Sequence, residues 1–265
     1  MKRINSKHIA ILGANGLLGA DLVTNLQMNY VVTPITKQNY DEHKGKSFDV
    51  FINANGNSKR FWAIQNVLED FEVSTNSVYK TMFDFKFKKY IYISSVDVYP
   101  DPSSPKRTQE DPEIKVIDQN PYGFHKYLSE QIVKKNVSDW LILRPSIILG
   151  SNLKKGPIYD ITNDKPLFVT ISSKLQVITT DAIAKVIETL LKKSVKNEII
   201  NVGGVGALSF SKLHKFFNKK ILVSPEAKPQ VYEMNIKKLQ RLCPILMTSE
   251  EYLREFLLTT NRSDI

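Results

Sequence analysis

His8-Ile9-Ala10-Ile11-Leu12-Gly13-Ala14-Asn15-Gly16-Leu17-Leu18-Gly19 decides the fold. Its first five residues are a short, nearly unbroken apolar run that stops at a glycine. A strand buried on both faces of a parallel sheet reads this way. From Leu17 to Met28 the apolar residues recur at helical spacing. The turn between them carries glycines at 13, 16 and 19, and each has its own task. Gly13 permits the tight turn after the strand, Gly16 lets backbone approach a pyrophosphate, and Gly19 lets the helix lie close to the sheet. Asn15, Leu17 and Leu18 complete the turn and open the helix, whose N-terminal N–H groups suit phosphate. The stretch predicts a dinucleotide site.

Working outward, apolar runs at Tyr30 to Ile35, Asp49 to Asn53, Tyr90 to Ser95 and Trp140 to Arg144 read as further strands. Trp62 to Asp84 and Tyr122 to Lys135 read as helical. Strands alternating with helices predict an α/β, Rossmann-type, doubly wound parallel sheet. The expected division is an NAD(P)-binding Rossmann domain over 1–150 and a small C-terminal substrate-binding lobe over 151–265. That lobe is interleaved with the last sheet strands. In it, Gln176 to Thr179 and Ile199 to Val202 read as strands and Ala182 to Leu191 as a helix. Ser209 or Ser211 would cap a helix through Leu213 to Phe217. Phe83, Phe85 and Phe87 are expected in the core, and Phe61 and Trp62 packed under a helix.

Bulk properties narrow the class. The chain has 265 residues, 42% hydrophobic and 24% charged, as soluble globular proteins have. One cysteine, Cys243, leaves no internal disulfide and no cysteine-rich metal site. The basic start, Met1 to Lys7, precedes an apolar run that glycine interrupts, so it reads as a strand and not a secretory signal. No run is long enough to span a bilayer. The expected location is cytoplasmic, with no membrane partner. The net charge of +10 is scattered in short pairs such as Lys154-Lys155, which read as a solvated surface and not a nucleic-acid face. It would also draw in anionic nucleotides. The four histidines, His8, His43, His125 and His214, lack metal-ligand spacing, so no metal is expected.

A second stretch carries the chemistry: Asn120-Pro121-Tyr122-Gly123-Phe124-His125-Lys126. Tyr122 and Lys126, four apart on a helix, share a face. His125 points elsewhere. A phenol titrates near ~10 in water. Lys126, and the positive ring of an oxidised nicotinamide, would favour the phenolate. Ser94 and Ser95 end the fourth strand, where ligands gather in open α/β sheets, and Ser95 could hydrogen-bond a reacting oxygen. At the end of the second strand, Thr36-Lys37 stands where an acidic residue would bind the ribose of NAD. A hydroxyl and a lysine suit the extra phosphate of NADP better, so the cofactor expected is NADP or NAD.

These segments resemble the extended short-chain dehydrogenase/reductases, the NAD-dependent epimerase/dehydratase superfamily. The resemblance rests on GANGLLG, FDVFINANG, YIYISSVDVYP, NPYGFHK, LILRPSIILG, QVITTDAIA and IINVGG, from about residue 8 to 204. It implies a nucleotide-activated sugar as substrate, with Ser95, Tyr122 and Lys126 catalytic. Asn53, Ala54, Asn55, Ser94 and Pro145 would lie near the cofactor. Sugar dehydratases of the superfamily place Asp-Glu after the catalytic Thr or Ser. Val96 and Asp97 stand there instead, and valine cannot protonate a leaving hydroxyl. Asp97 remains a candidate acid/base or sugar ligand, or simply a turn residue. The implied activity is epimerisation or keto reduction at sugar C4, with a homodimer by analogy. A non-catalytic NAD(P)-binding regulatory or interaction protein is the alternative.

Overall fold

The computed structural model describes residues 7–111, 113–217 and 219–260. In chain order the first part holds β1 (His8–Leu12), α1 (Leu17–Leu26), β2 (Val31–Ile35), α2 (Tyr40–His43) and β3 (Ser47–Asn53). Then come α3 (Arg60–Gln65), α4 (Val67–Asp70), a π-helical turn (Phe71–Asn76) and α5 (Ser77–Asp84). β4 (Lys86–Ile93), α6 (Pro121–Asn136) and β5 (Trp140–Pro145) follow. The remainder holds β6 (Ile147–Leu149), α7 (Pro157–Thr162), β7 (Leu167–Val169), β8 (Lys174–Leu175), β9 (Val177–Thr179), α8 (Thr180–Lys192) and β10 (Glu198–Val202). It ends with β11 (Leu208–Ser209), β12 (Val223–Lys228), β13 (Val231–Tyr232), α9 (Lys237–Leu242) and α10 (Ser249–Thr260).

The central sheet has six strands in the order β10-β5-β4-β3-β1-β2, and every neighbouring pair is parallel. Residue alternation explains the layering, because successive side chains of a strand face opposite sides. Ile9 and Ile11, Val50 and Ile52, Ile91 and Ile93, Leu141 and Leu143 enter one core with α1 and α8. Ala10 and Leu12, Phe51, Tyr90 and Tyr92, and Ile142 enter the other, with Val78 of α5 and Val133 of α6. The sheet is therefore covered on both faces, as its apolar runs required. Leu12 lies opposite Ile35 on one side and Asn53 on the other. The chain reverses its direction of growth at β1, which opens a crevice at the strand ends.

The later part of the chain returns to this sheet. β10 adds the edge strand beside β5. α8 lies on α1, joined by Thr180 to Asp21 at 2.6 Å, Asn25 to Asp181 at 2.8 Å and Asn29 to Glu188 at 2.8 Å. β6 with β9, β7 with β12, and β11-β8-β13 form small sheets above the strand ends.

Several expectations need correction. Trp62 to Asp84 is helical as expected, but in separate pieces. Asn66 breaks it, with φ −129° and ψ 64° and its side chain bonded back to the Trp62 carbonyl at 3.0 Å, a local bond that competes with helix. A π turn follows at Phe71. Ser209 and Ser211 bond to each other at 2.9 Å and cap nothing, and the segment Phe210–Lys215 is a 3₁₀ helix. Phe85 is core, but Phe83 is 71% exposed and Phe61 63% exposed. Among the described residues no helix is long and apolar enough to cross a membrane.

Candidate active site

The site starts at the glycine turn. Gly13 has φ +85°, and a Cβ there would lie 2.9 Å from the Ala54 and Asn55 backbone. A Cβ on Gly19 would lie 2.1 Å from the Gly13 carbonyl oxygen. These glycines thus lock β1, α1 and the loop after β3 together, beneath the surface. Gly16 is the N-cap of α1 and has no side chain to cap the helix, whose first turn has no acidic residue. The Gly16 N–H donates to the Gly13 carbonyl at 2.9 Å, and the helix begins at Leu17 and Leu18 beside Asn15. A cradle of bare backbone at a helix N-terminus fits a pyrophosphate.

A cavity of about 700 Å³ continues from this cradle, a size typical of cofactor and small-ligand sites. Asn15, Gly16, Leu17, Leu18, Ala54, Asn55, Ser94, Ser95, Asp97, Tyr122, Lys126 and Pro145 all line it. Gly13, Gly19, Asn53, Thr36 and Lys37 do not. Asn53 is buried, donates to the Tyr90 hydroxyl at 2.8 Å and accepts from the Asn55 N–H at 3.0 Å, so it shapes the loop. Thr36 is held by Asn39 Oδ1 at 2.7 Å, one residue beyond the Ile35 carbonyl that accepts from Gly13 and Ala14. Lys37 is exposed beside it.

The start of α6 is built to deliver Tyr122. Asn120 caps it, accepting from the Gly123 N–H at 3.1 Å, and Pro121 occupies the first turn. A Cβ on Gly123 would sit 2.1 Å from the Asp97 carbonyl oxygen. Only glycine lets the helix press so close to the Val96–Val98 turn, which puts Tyr122 against Ser95. That signal, a glycine directly after the tyrosine, was readable in the sequence and was missed. Ser95 caps the turn, accepting from the Asp97 N–H at 3.1 Å. Its hydroxyl reaches Asp97 Oδ2 at 3.4 Å and is within reach of the Tyr122 phenol. Val96 is core.

Tyr122 and Lys126 are both buried and share the cavity. Lys126 Nζ donates to the Ile93 carbonyl at 3.3 Å and lies 5.3 Å from the centre of the Tyr92 ring. Burial pushes its ammonium down to about 8, against the pull of Asp70 and Glu130. The expected acidification of Tyr122 by Lys126 is not present in the chain by itself. Burial raises the phenol well above its ordinary value, and the Asp97 charge adds to this, while Ser95 and Arg60 oppose it. Desolvation exceeds the nearby positive charge here.

Sequence reasoning missed much of the far wall. Asp97 Oδ1 accepts from Tyr232 at 3.0 Å and from Arg60 at 3.3 Å, and Arg60 also donates to the Tyr232 hydroxyl. Lys155 was read as surface, but it lines the cavity and donates to the Ser58 carbonyl. Burial and neighbouring Lys59 lower it to about 8. Ser94 is turned away into a buried network, donating to Glu130, which Arg144 grips at 2.9 and 2.6 Å. Arg144 also donates to Tyr99 at 2.7 Å, and Tyr99 to Asn201 at 2.9 Å. This network joins α6, β5 and β10 under the site. Among the described residues, no cluster of His, Cys, Asp and Glu could hold a metal ion.

Comparison with known proteins follows the same lines. Residues 9–203 match the profile of the NAD dependent epimerase/dehydratase family. No curated protein matches the chain significantly. Among solved structures, a dTDP-4-dehydrorhamnose reductase from Bacillus anthracis in complex with NADP is similar at TM-score 0.75 and 19% identity, over 97% of this chain and 99% of that one. A UDP-N-acetylglucosamine 4-epimerase from Methanobrevibacter ruminantium is similar at TM-score 0.75 and 16% identity, over 98% and 100%. A UDP-glucuronic acid 4-epimerase from Bacillus cereus, crystallised with NAD, is similar at TM-score 0.72 and 18% identity, over 97% and 99%. At these identities the likeness is one of fold.

Proposed function

The chain belongs to the NAD-dependent epimerase/dehydratase family, and from that premise we propose that it is an NAD(P)-dependent epimerase or ketoreductase of a nucleotide-activated sugar, working at sugar C4. One observation carries the reading: Ser95, Asp97, Tyr122 and Lys126 share a cavity with the uncapped N-terminus of α1. The dinucleotide pyrophosphate would lie on Gly16, Leu17 and Leu18, and Pro145, Ser94 and Asn55 would flank its other end. Thr36 and Lys37 favour NADP over NAD at the adenosine end. The nicotinamide, when bound, supplies hydride transfer and, when oxidised, a positive charge.

The chain's own groups have separate roles in this proposal. Tyr122 exchanges a proton with the C4 oxygen of the sugar. Ser95 hydrogen-bonds the same oxygen. Lys126, kept cationic, counters the raised phenol by favouring its ionised form. Asp97, held by Arg60 and Tyr232, takes a sugar hydroxyl. Residues from 151 onward close the sugar end, with Lys155 and Tyr232 as their contributions to the wall. The exposed apolar residues Phe61, Leu68, Phe71, Tyr79, Phe83 and Phe124 lie on α3 to α6, and a second copy of the chain is the proposed occupant of that face.

Mass spectrometry of nucleotides released on denaturation tests the cofactor assignment. Bound NAD in stoichiometric amount favours an epimerase, which regenerates its cofactor, and overturns the preference for NADP. Reversible binding of NADPH favours a reductase. A chain that binds neither contradicts the proposal.

A further inference from the structure

Asp70 is a fully buried carboxylate that the proposed chemistry leaves unused. It ends α4, and its relative exposure is 0%. Oδ2 meets His125 Nδ1 at 2.6 Å. Oδ1 accepts from Asn57 Nδ2 at 2.8 Å and from Ser74 Oγ at 3.3 Å. A carboxylate without water is costly unless its charge is compensated. Among the described residues, no lysine or arginine forms an ion pair with it, and His125 is its only basic partner.

The nearest use for that charge is Lys126. Gly56 marks the space between them: a Cβ there would lie 3.4 Å from Lys126 Nζ and 3.6 Å from Ser74 Oγ. The Ser74 hydroxyl is the one bonded to Asp70. The other groups facing Lys126 are Glu130 and Tyr122 of its own helix, the Tyr92 ring and the Ile93 carbonyl of β4. Glu130 is already gripped through two hydrogen bonds by Arg144, which cancels most of its field. For Asp70, among the described residues, the one ion-pair partner is the His125 imidazole, which leaves two of its hydrogen bonds to the neutral groups of Asn57 and Ser74.

We propose that Asp70, clamped by His125, Asn57 and Ser74, is the buried counter-ion of Lys126 and keeps that amine protonated at the site. It is a positioning residue, acting through Lys126, and the inference rests on the catalytic reading only for its kinetic consequence. The sense agrees with the charge pull that Asp70 exerts on Lys126 against burial. It also explains why α4 runs into a π turn. The turn brings both Asp70 and Ser74 inward, as local π geometry often does at functional sites.

The test needs a readout that does not depend on turnover. Lys126 titrates near 8 in the folded protein, against an ordinary value of 10.5. The folded chain then loses this proton before the unfolded chain does. Its contribution to stability therefore rises with pH across that window. Referencing unfolding midpoints to Lys126→Met isolates the contribution.

In Asp70→Asn the rise is expected to start about one pH unit lower or more. Asp70→Glu restores it, and Ser74→Ala leaves it in place. Asn57→Lys, on the cavity wall, sets a rival ammonium on Oδ1 and moves it down in the same direction, which serves if Asp70→Asn fails to fold. A rise that starts at the same pH in wild type, Asp70→Asn and Asn57→Lys overturns the proposal. The basic limb of kcat/KM moves with the titration if the catalytic reading holds. A shifted titration without turnover on any nucleotide sugar leaves this inference standing and sinks that reading.

Discussion

Tyr122 has the environment of a weak acid: buried, with Asp97 close by and its phenol pushed upward. Its use at neutral pH therefore depends on charge brought close to it, and Lys126 is the chain's own source. Tyr122→Phe should lower turnover by about 10² to 10⁴-fold while cofactor affinity stays nearly unchanged, measured by steady-state kinetics beside NADPH titration. Wild-type turnover would remove the tyrosine from the mechanism. Lys37 is exposed beside the glycine turn, so Lys37→Asp should shift the affinity ratio from NADP toward NAD without loss of folding. An unchanged ratio would show that the lysine is only solvated. The shared face of Tyr122 and Lys126 was legible from their spacing on one helix, and the family resemblance added Ser95 at the strand end; all three line one cavity. Arg60, Asp70 and Tyr232 were not legible, because each meets its partner only through tertiary contact across the chain.

At the level of elements, α6 is the piece that makes the site. Its N-terminus must press on the Val96–Val98 turn, and its middle carries Glu130 into the Arg144 network. Gly123→Ala would drive a methyl into the Asp97 carbonyl, 2.1 Å from where it must stand. The expected cost is about 1–3 kcal/mol in stability from overpacking. Catalysis should fall on the order of 10²-fold from misplaced Tyr122. Thermal unfolding and kcat measure the two, and a fully active, equally stable variant would refute the tight approach. The parallel strands were readable because buried β runs in this chain are nearly continuous and alternate cleanly between two cores. The 60–84 segment was harder. Its periodicity is helical throughout, and only the Asn66 break and the six-residue π turn Phe71–Asn76 divide it.

For the whole molecule, the reading requires that residues from 151 onward close the sugar end while β10 and α8 complete the sheet layers. The short strands β6, β7 and β8, two or three residues each, are too brief to leave a period in the sequence, whereas β9 was readable within Gln176 to Thr179. The exposed face on α3 to α6 includes Leu68 at 79% and Phe83 at 71% exposure. If a second copy covers it, Leu68→Glu with Phe83→Asp should convert a dimer to a monomer in analytical ultracentrifugation, and an unmodified chain that sediments as a monomer would refute the dimer. The central claim, redox at sugar C4 with Tyr122 as acid/base, is tested most directly by tracing the hydrogen. Nucleotide hexoses carrying deuterium at C4 are mixed with the oxidised cofactor and the protein, and the nicotinamide is recovered after denaturation. The account predicts that wild type leaves deuterium on the nicotinamide, as a ketoreductase run in reverse does, or returns it to C4 of the inverted hexose, as an epimerase does, and that Tyr122→Phe does neither. Neither labelled nicotinamide nor a C4-inverted hexose from every nucleotide hexose offered, or equal turnover in both proteins, would contradict it.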